Sequence, residues 1–300
     1  MNTELTIPTE DGRSIAEMLG VAVGDGGKKK STLARLSQIH SPIMGNMDVN
    51  GKSIRTEVVQ AGSYKLVLDD GNIIYDANPH VRVFAIYQQW TRWDSDNSTM
   101  QKTELTTDLK GDLKDSQGGF NLGRPTGFVK DWDALPQETK ELMRQVKRTK
   151  VVFGTVSLNT PVDSDGKSID STYEDIAMIM DIKNRDSIKA LDAMVKRVQG
   201  LNALPLNYQL KMSAEEHTLP TGNAYSSMVF SLQNKQDIVP SDSDLTRGFL
   251  DWIKWANSYV YDQWAEHNNK KVDEDIADFV NEKMADSKEP GWLDVKGEAV

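Results

Sequence analysis

Residues 80–93 read HVRVFAIYQQWTRW, and residues 147–158 read KRTKVVFGTVSL. Both are rich in valine, isoleucine and aromatic residues and carry the apolar patterning of strands. Each also places arginine or lysine, and in the first run tryptophan, at the end where the apolar part gives out. Strand signals continue on both sides. Upstream, residues 55–59, 64–68 and 72–75 are short strands, with a turn at Asp70-Gly71 between the last two. Downstream, Ile176, Met178, Met180 and Ile182 alternate with small or polar neighbours. Leu204, Leu206, Tyr208, Leu210 and Met212 alternate in the next strand, and Met228, Phe230 and Leu232 in the last.

Helical signals punctuate this series. Residues 133–145 hold Pro136 in a first turn, with Leu135, Leu142 and Val146 on one face. Asp186 or Ser187 can cap a helix carrying Ile188, Leu191, Val195 and Val198. From Asp244 the period becomes helical, with Leu245, Phe249, Trp252, Ile253, Ala256, Val260 and Trp264 on one stripe. A second acidic helix is expected over 275–284. Residues 94–119 are polar and turn-rich, a length more often functional or mobile than merely connecting.

The expected architecture is mainly β with helices (α+β): an OB-like Greek-key barrel with inserted helices and a C-terminal helical extension. Residues 1–50 form an N-terminal arm with short helices at 14–19 and 32–39, residues 51–240 the barrel domain, and residues 241–300 the C-terminal helix and acidic tail. Within the arm, GDGGKKKS at 24–31 lacks the lysine-serine spacing of a phosphate-binding loop and reads as a solvated linker.

The net charge of −10 is unevenly spread. Residues 262–300 hold eleven acids against five lysines, so the rest of the chain is close to neutral. Residues 124–150 and 183–197 are each net +3. Local field rather than total charge steers a polyanion, so these patches are compatible with nucleic acid. There is no cysteine, hence no disulfide and no thiolate metal site, which fits a cytoplasmic protein. No apolar run approaches the ~20 residues of a membrane helix, and the N-terminus lacks the features of a signal peptide. The four histidines have no partner at ligand spacing. Asp94-Ser95-Asp96 and Asp163-Ser164-Asp165 lack the glycine and terminal glutamate of a calcium loop and read as turns. No nucleophile-elbow motif occurs. No catalytic residue, metal or cofactor is therefore expected.

Rings and cations on strands suit single-stranded nucleic acid, because every base has a π-face and every nucleotide a phosphate. The candidate cations are Arg82, Arg92, Arg124, Lys130, Lys147, Arg148, Lys150, Lys183 and Arg185. The candidate rings are Tyr87, Trp90, Trp93, Phe128 and Phe153. Phe84, Phe230 and Trp252 are assigned to core.

Several stretches carry a resemblance to a known family: GFNLGRPTG at 119–127, DALP at 133–136, VVFG at 151–154, AMIMDIK at 177–183, PLNY at 205–208, EEH at 215–217 and YSSMVFSL at 225–232. In order and pattern, residues 55–265 resemble a phage-type single-stranded-DNA-binding protein with an oligonucleotide-binding barrel. The resemblance implies a helix between the third and fourth barrel strands. It further implies a non-catalytic, largely sequence-independent viral protein of DNA replication or recombination, working in the host cytoplasm. Its partners would be single-stranded DNA and, through the acidic C-terminal region, replication or recombination proteins, with no membrane. Members of this group often end in an acidic tail tipped by an aromatic residue, whereas this chain ends WLDVKGEAV. Some carry zinc in the barrel, which a chain without cysteine does not match. Two other readings stay open. One is a virion or assembly protein whose exposed aromatics touch other proteins; the other is a Mg²⁺-dependent DNA-modifying enzyme.

Overall fold

The computed structural model describes residues 33–49, 52–127, 129–219, 221–222 and 224–286. It is a mixed α+β structure, mostly sheet. The strands are β1 (Ala34–Gln38), β2 (Ile43–Val49), β3 (Lys52–Val59), β4 (Tyr64–Val67), β5 (Ile73–Asp76), β6 (His80–Asp94), β7 (Thr99–Lys102), β8 (Lys147–Ser157), β9 (Ile176–Ile182), β10 (Tyr208–Thr218) and β11 (Ala224–Lys235). The helices are α1 (Gln137–Gln145), α2 (Arg185–Gly200) and α3 (Pro240–Asp286).

Nine strands form one sheet in the order β11-β10-β6-β8-β9-β1-β4-β5, with β7 paired to β6. β2 and β3 make a separate hairpin. Every pairing in the large sheet is antiparallel except β1 with β9, which is parallel. Among the described residues the sheet is open: β11 and β5 end the path and no closed barrel forms.

β6 and β8 are the spine. They pair from His80↔Ser157 to Thr91↔Lys147, with one register shift between Val83 and Ala85. That shift is a β-bulge at Phe84, opposite Gly154. A Cβ on Gly154 would collide with the Arg82 carbonyl, so the close approach needs a glycine. The bulge changes the phase of β6. Val81 and Val83 share a face with Ile86, Gln88 and Trp90; Arg82 shares the other with Ala85, Tyr87 and Gln89.

Each face is covered by a helix. On the first, α2 packs Ile188, Leu191, Met194 and Val198 against Val152, Val156, Met178, Met180, Ile182 and Leu36. Asn184 caps this helix, its side chain accepting from the backbone N–H of Asp186 and Ser187, two or three residues earlier than expected. On the second face, α3 lays Phe249, Ile253 and Ala256 over Val151, Phe153 and Ile179.

Two local expectations are corrected. Residues 34–38 are a strand, not a helix: Ala34, Leu36 and Gln38 alternate inward between β9 and β4. The helix expected over 275–284 is instead the end of one continuous α3. The helix expected at 14–19 lies outside the described residues. The polar segment 94–119 is ordered around buried Asp115, whose carboxylate accepts from the backbone N–H of Gln117, Gly119 and Leu122. Asp94 and Asp163 are turn residues as expected, each accepting from nearby backbone N–H groups. No helix among the described residues is long and apolar enough to cross a membrane.

Candidate nucleic-acid interface

The far end of β6 and β8, beyond the cores, gathers Trp90, Arg92, Trp93, Arg124, Lys147 and Arg148 of the sequence-predicted residues, but on opposite faces. On the α2 face, Trp90 pairs in register with Arg148, and Gln88 with Lys150. The Arg124 guanidinium stacks over Trp90 at 4.5 Å from the ring centroid. Arg148 donates to the Gln88 side chain at 2.9 Å, and Arg92 to Gln101 at 2.8 Å. Arg148 and Lys130 are exposed, whereas Trp90, Arg92 and Arg124 are half-buried. Arg185 is exposed at the start of α2.

On the α3 face, Trp93 is 58% exposed and sits across from Met100. Lys147 and Lys102 flank Thr91 from the two neighbouring strands. Tyr87 is half-buried, edge-on to Phe153 at 6.2 Å. Lys183 lies just beyond β9 and is exposed.

Three expected site residues are corrected. Arg82 is 9% exposed and makes a two-pronged ion pair with Asp242 in the first turn of α3, at 3.1 and 3.0 Å, so it ties helix to sheet. The bulge explains this: it turns Arg82 onto the face that α3 covers. Phe153 is fully buried among Phe249, Trp252 and Tyr87 and is core. Lys150 is 6% exposed and bonded to Asp192 of α2. Phe128 lies outside the described residues. The core assignments fare better: Phe230 is buried, Phe84 packs on Phe249 at 5.6 Å, and Trp252 packs on Phe153 at 5.5 Å.

Between the sheet and α3 lies a cleft of about 190 Å³. Its sheet wall carries Arg35 of β1, Gln89 and Thr91 of β6, Lys102 of β7, Asp181 of β9, and Lys183; Trp252, Ala256, Asn257 and Val260 of α3 form the other wall. Three cations thus face one acid. Burial lowers the Lys102 ammonium, Arg35 lowers it further, and Asp181 opposes both. Burial raises the Asp181 carboxyl against the pull of Arg35, Lys183 and Lys102. Asp181 is itself exposed to solvent, and the upward direction comes from desolvation by the protein packed near its carboxyl. Tyr259 sits at the same opening, its ring 5.4 Å from the Lys102 ammonium.

Farther along, α3 is pinned to the ordered segment 103–120. Asn257 bonds both backbone groups of Leu105, at 2.7 and 3.0 Å, and Trp264 donates to the Gly119 carbonyl at 3.0 Å. Tyr261 donates to Glu104, which pushes its phenol up to about 12. Lys114 lies over the Trp264 ring at 4.4 Å.

Reading the sequence missed Arg35, Lys102, Asp181 and Tyr259. Arg35 belongs to a strand read as helix. Lys102 belongs to a four-residue strand inside a polar segment. Tyr259 had a visible signal: it is an aromatic residue off the apolar stripe of an amphipathic helix.

Among the described residues, no group of three or more His, Asp or Glu side chains is placed to hold a metal. No family model, curated protein or solved structure matches the chain.

Proposed function

We propose that the protein binds single-stranded nucleic acid, DNA in the first instance, without catalysing its chemistry. The observation that carries this reading is the cleft on the α3 face. Arg35, Lys102 and Lys183 converge there beside Trp252 and Tyr259, and Trp93 and Lys147 extend the surface outward along β6 and β8. Cations spaced along a groove with rings at its edge suit a phosphate backbone with splayed bases. The stacked pair Arg124–Trp90, with Arg148 beside it, offers the same chemistry around the end of the sheet.

The strand order supports a relation to oligonucleotide-binding barrels. β6, β8 and β9 lie side by side in the sheet, α2 follows β9, and β10 returns to pair with β6. Counted from β6 and with β7 set aside, α2 falls between the third and fourth strands, as the resemblance implies. In such barrels the face of strands two and three holds the oligonucleotide, and here that is the face of β8 and β9 lining the cleft. On this reading β1, parallel to β9, takes the position where a barrel would close.

The test is a titration of tryptophan fluorescence with a thymidine oligomer at two salt concentrations. Quenching with an affinity that falls as salt rises is expected. The double substitution Lys102→Ala, Lys183→Ala should flatten the plot of log affinity against log salt by about 1.4, at roughly 0.7 per phosphate contact. An absence of binding, or binding indifferent to salt, would remove the reading.

A further inference from the structure

Asp181 is the one carboxylate among the residues lining the cleft, and it stands where a phosphate would be repelled. Among the described residues it has no hydrogen-bond or ion-pair partner, only the longer-range pull of Arg35, Lys183 and Lys102. The neighbouring polar side chains are mostly engaged. Asn257 spends its amide on the Leu105 backbone. Thr91 shares a hydrogen bond with Thr149, and Thr103 is bonded to Trp90 and Glu104. Of the amide and hydroxyl side chains in the lining, Gln89 has no hydrogen-bond partner among the described residues. The cleft, at about 190 Å³, exceeds the ~150 Å³ cavity that admits a benzene ring. Met100 and Trp252 give it an apolar wall.

We propose that this cleft takes a base rather than a phosphate, and that Asp181 selects guanine over thymine there. The proposal rests on the single-strand reading above and deepens it. Guanine presents its ring N–H and its amino group side by side, and the two oxygens of a carboxylate accept both. Thymine offers one N–H between two carbonyl oxygens, which repel a carboxylate. Adenine and cytosine, with one amino group beside a ring acceptor, fall between. Arg35, Lys102 and Lys183 then serve the flanking phosphates, so their charges and that of Asp181 act on different parts of one nucleotide strand. Binding would be sequence-tolerant over most of the surface and selective at one position.

The experiment compares a thymidine oligomer of about twelve nucleotides, a length within the usual span of such sites, with the same oligomer carrying one central guanine. Affinities are measured by fluorescence anisotropy at low salt. The wild-type chain should prefer the guanine oligomer about tenfold, the scale of one good two-point contact to a base. Asp181→Ala should bring the ratio close to one. It should also tighten binding of the all-thymidine oligomer, because a repulsive charge has gone. Asp181→Asn keeps the shape and should shrink the ratio too, which guards against a folding defect in the alanine variant. Equal wild-type affinities for the two oligomers would overturn the proposal, as would a preference that survives in both variants. If neither oligomer binds in a salt-dependent way, the single-strand reading falls and takes this proposal with it.

Discussion

Trp93 and Phe153 differ in role although both are aromatic residues on the same face of neighbouring strands. Phe153 has no exposed surface and touches three rings, so Phe153→Ala should cost about 3–5 kcal/mol of stability in a denaturant titration. Trp93 is largely exposed beside Met100. Trp93→Ala should leave the melting temperature unchanged and cost about 1–3 kcal/mol of oligonucleotide binding. The reverse pattern would assign Trp93 to structure. Gly154 is the residue on which the spine depends most. Because a Cβ there meets the Arg82 carbonyl, Gly154→Ala should destabilise by at least the ~1–3 kcal/mol of an overpacked core, read by thermal unfolding. Residue types were legible in the sequence, but the facing of β6 was not. Strict alternation puts Arg82 with Trp90 and Arg92; one extra residue at the bulge separates them, and nothing in the composition of that run announces it.

α3 is held at its start by Arg82–Asp242, a pair removed from water. Asp242→Ala leaves a buried guanidinium without its partner and should cost about 3–5 kcal/mol. Burial alone would raise the Asp242 carboxyl, but hydrogen bonds from Arg82 and the Val239 N–H outweigh it and hold the group below its ordinary value. The unfolded chain therefore binds the proton more readily than the folded one. The stabilisation is present above about pH 4 and is lost as pH falls through the depressed folded value. Unfolding free energies measured across this acid range should fall more steeply for the wild type than for Asp242→Asn. At this scale the sequence was most readable. Strands over 55–59, 64–68, 147–158 and 176–182, and the helix read from Asp244, carry strong periodic patterns and are present. The misreadings fall on β1, where five residues carry too little pattern to separate strand from helix, on β7, whose position depends on pairing with β6, and on the end of α3, read as a separate helix.

Across the whole molecule, charge is divided between a basic cleft and an acidic C-terminal end. Residues 271–300 hold nine acids against four lysines. Among the described residues, the last hydrogen bonds from α3 to the body come from Trp264 and Asn268. Deleting residues 271–300 should therefore leave the melting temperature within a few degrees. It should also tighten oligonucleotide binding, most at low salt, where the field of the acidic end is least screened. Loss of folding on truncation would make that region structural instead. The sheet order was beyond the reach of the sequence, because patterning says which face is buried but not which strand lies beside which. The parallel pairing of β1 with β9 also has a consequence for synthesis. Leu36 pairs with Met180, about 140 residues later. At roughly 5–20 residues per second, the first strand emerges some 7–30 seconds before its central partner exists. Until then β1 can lean only on β4, with its other edge open, so the nascent chain passes through an interval in which this edge is free to pair with a neighbouring copy.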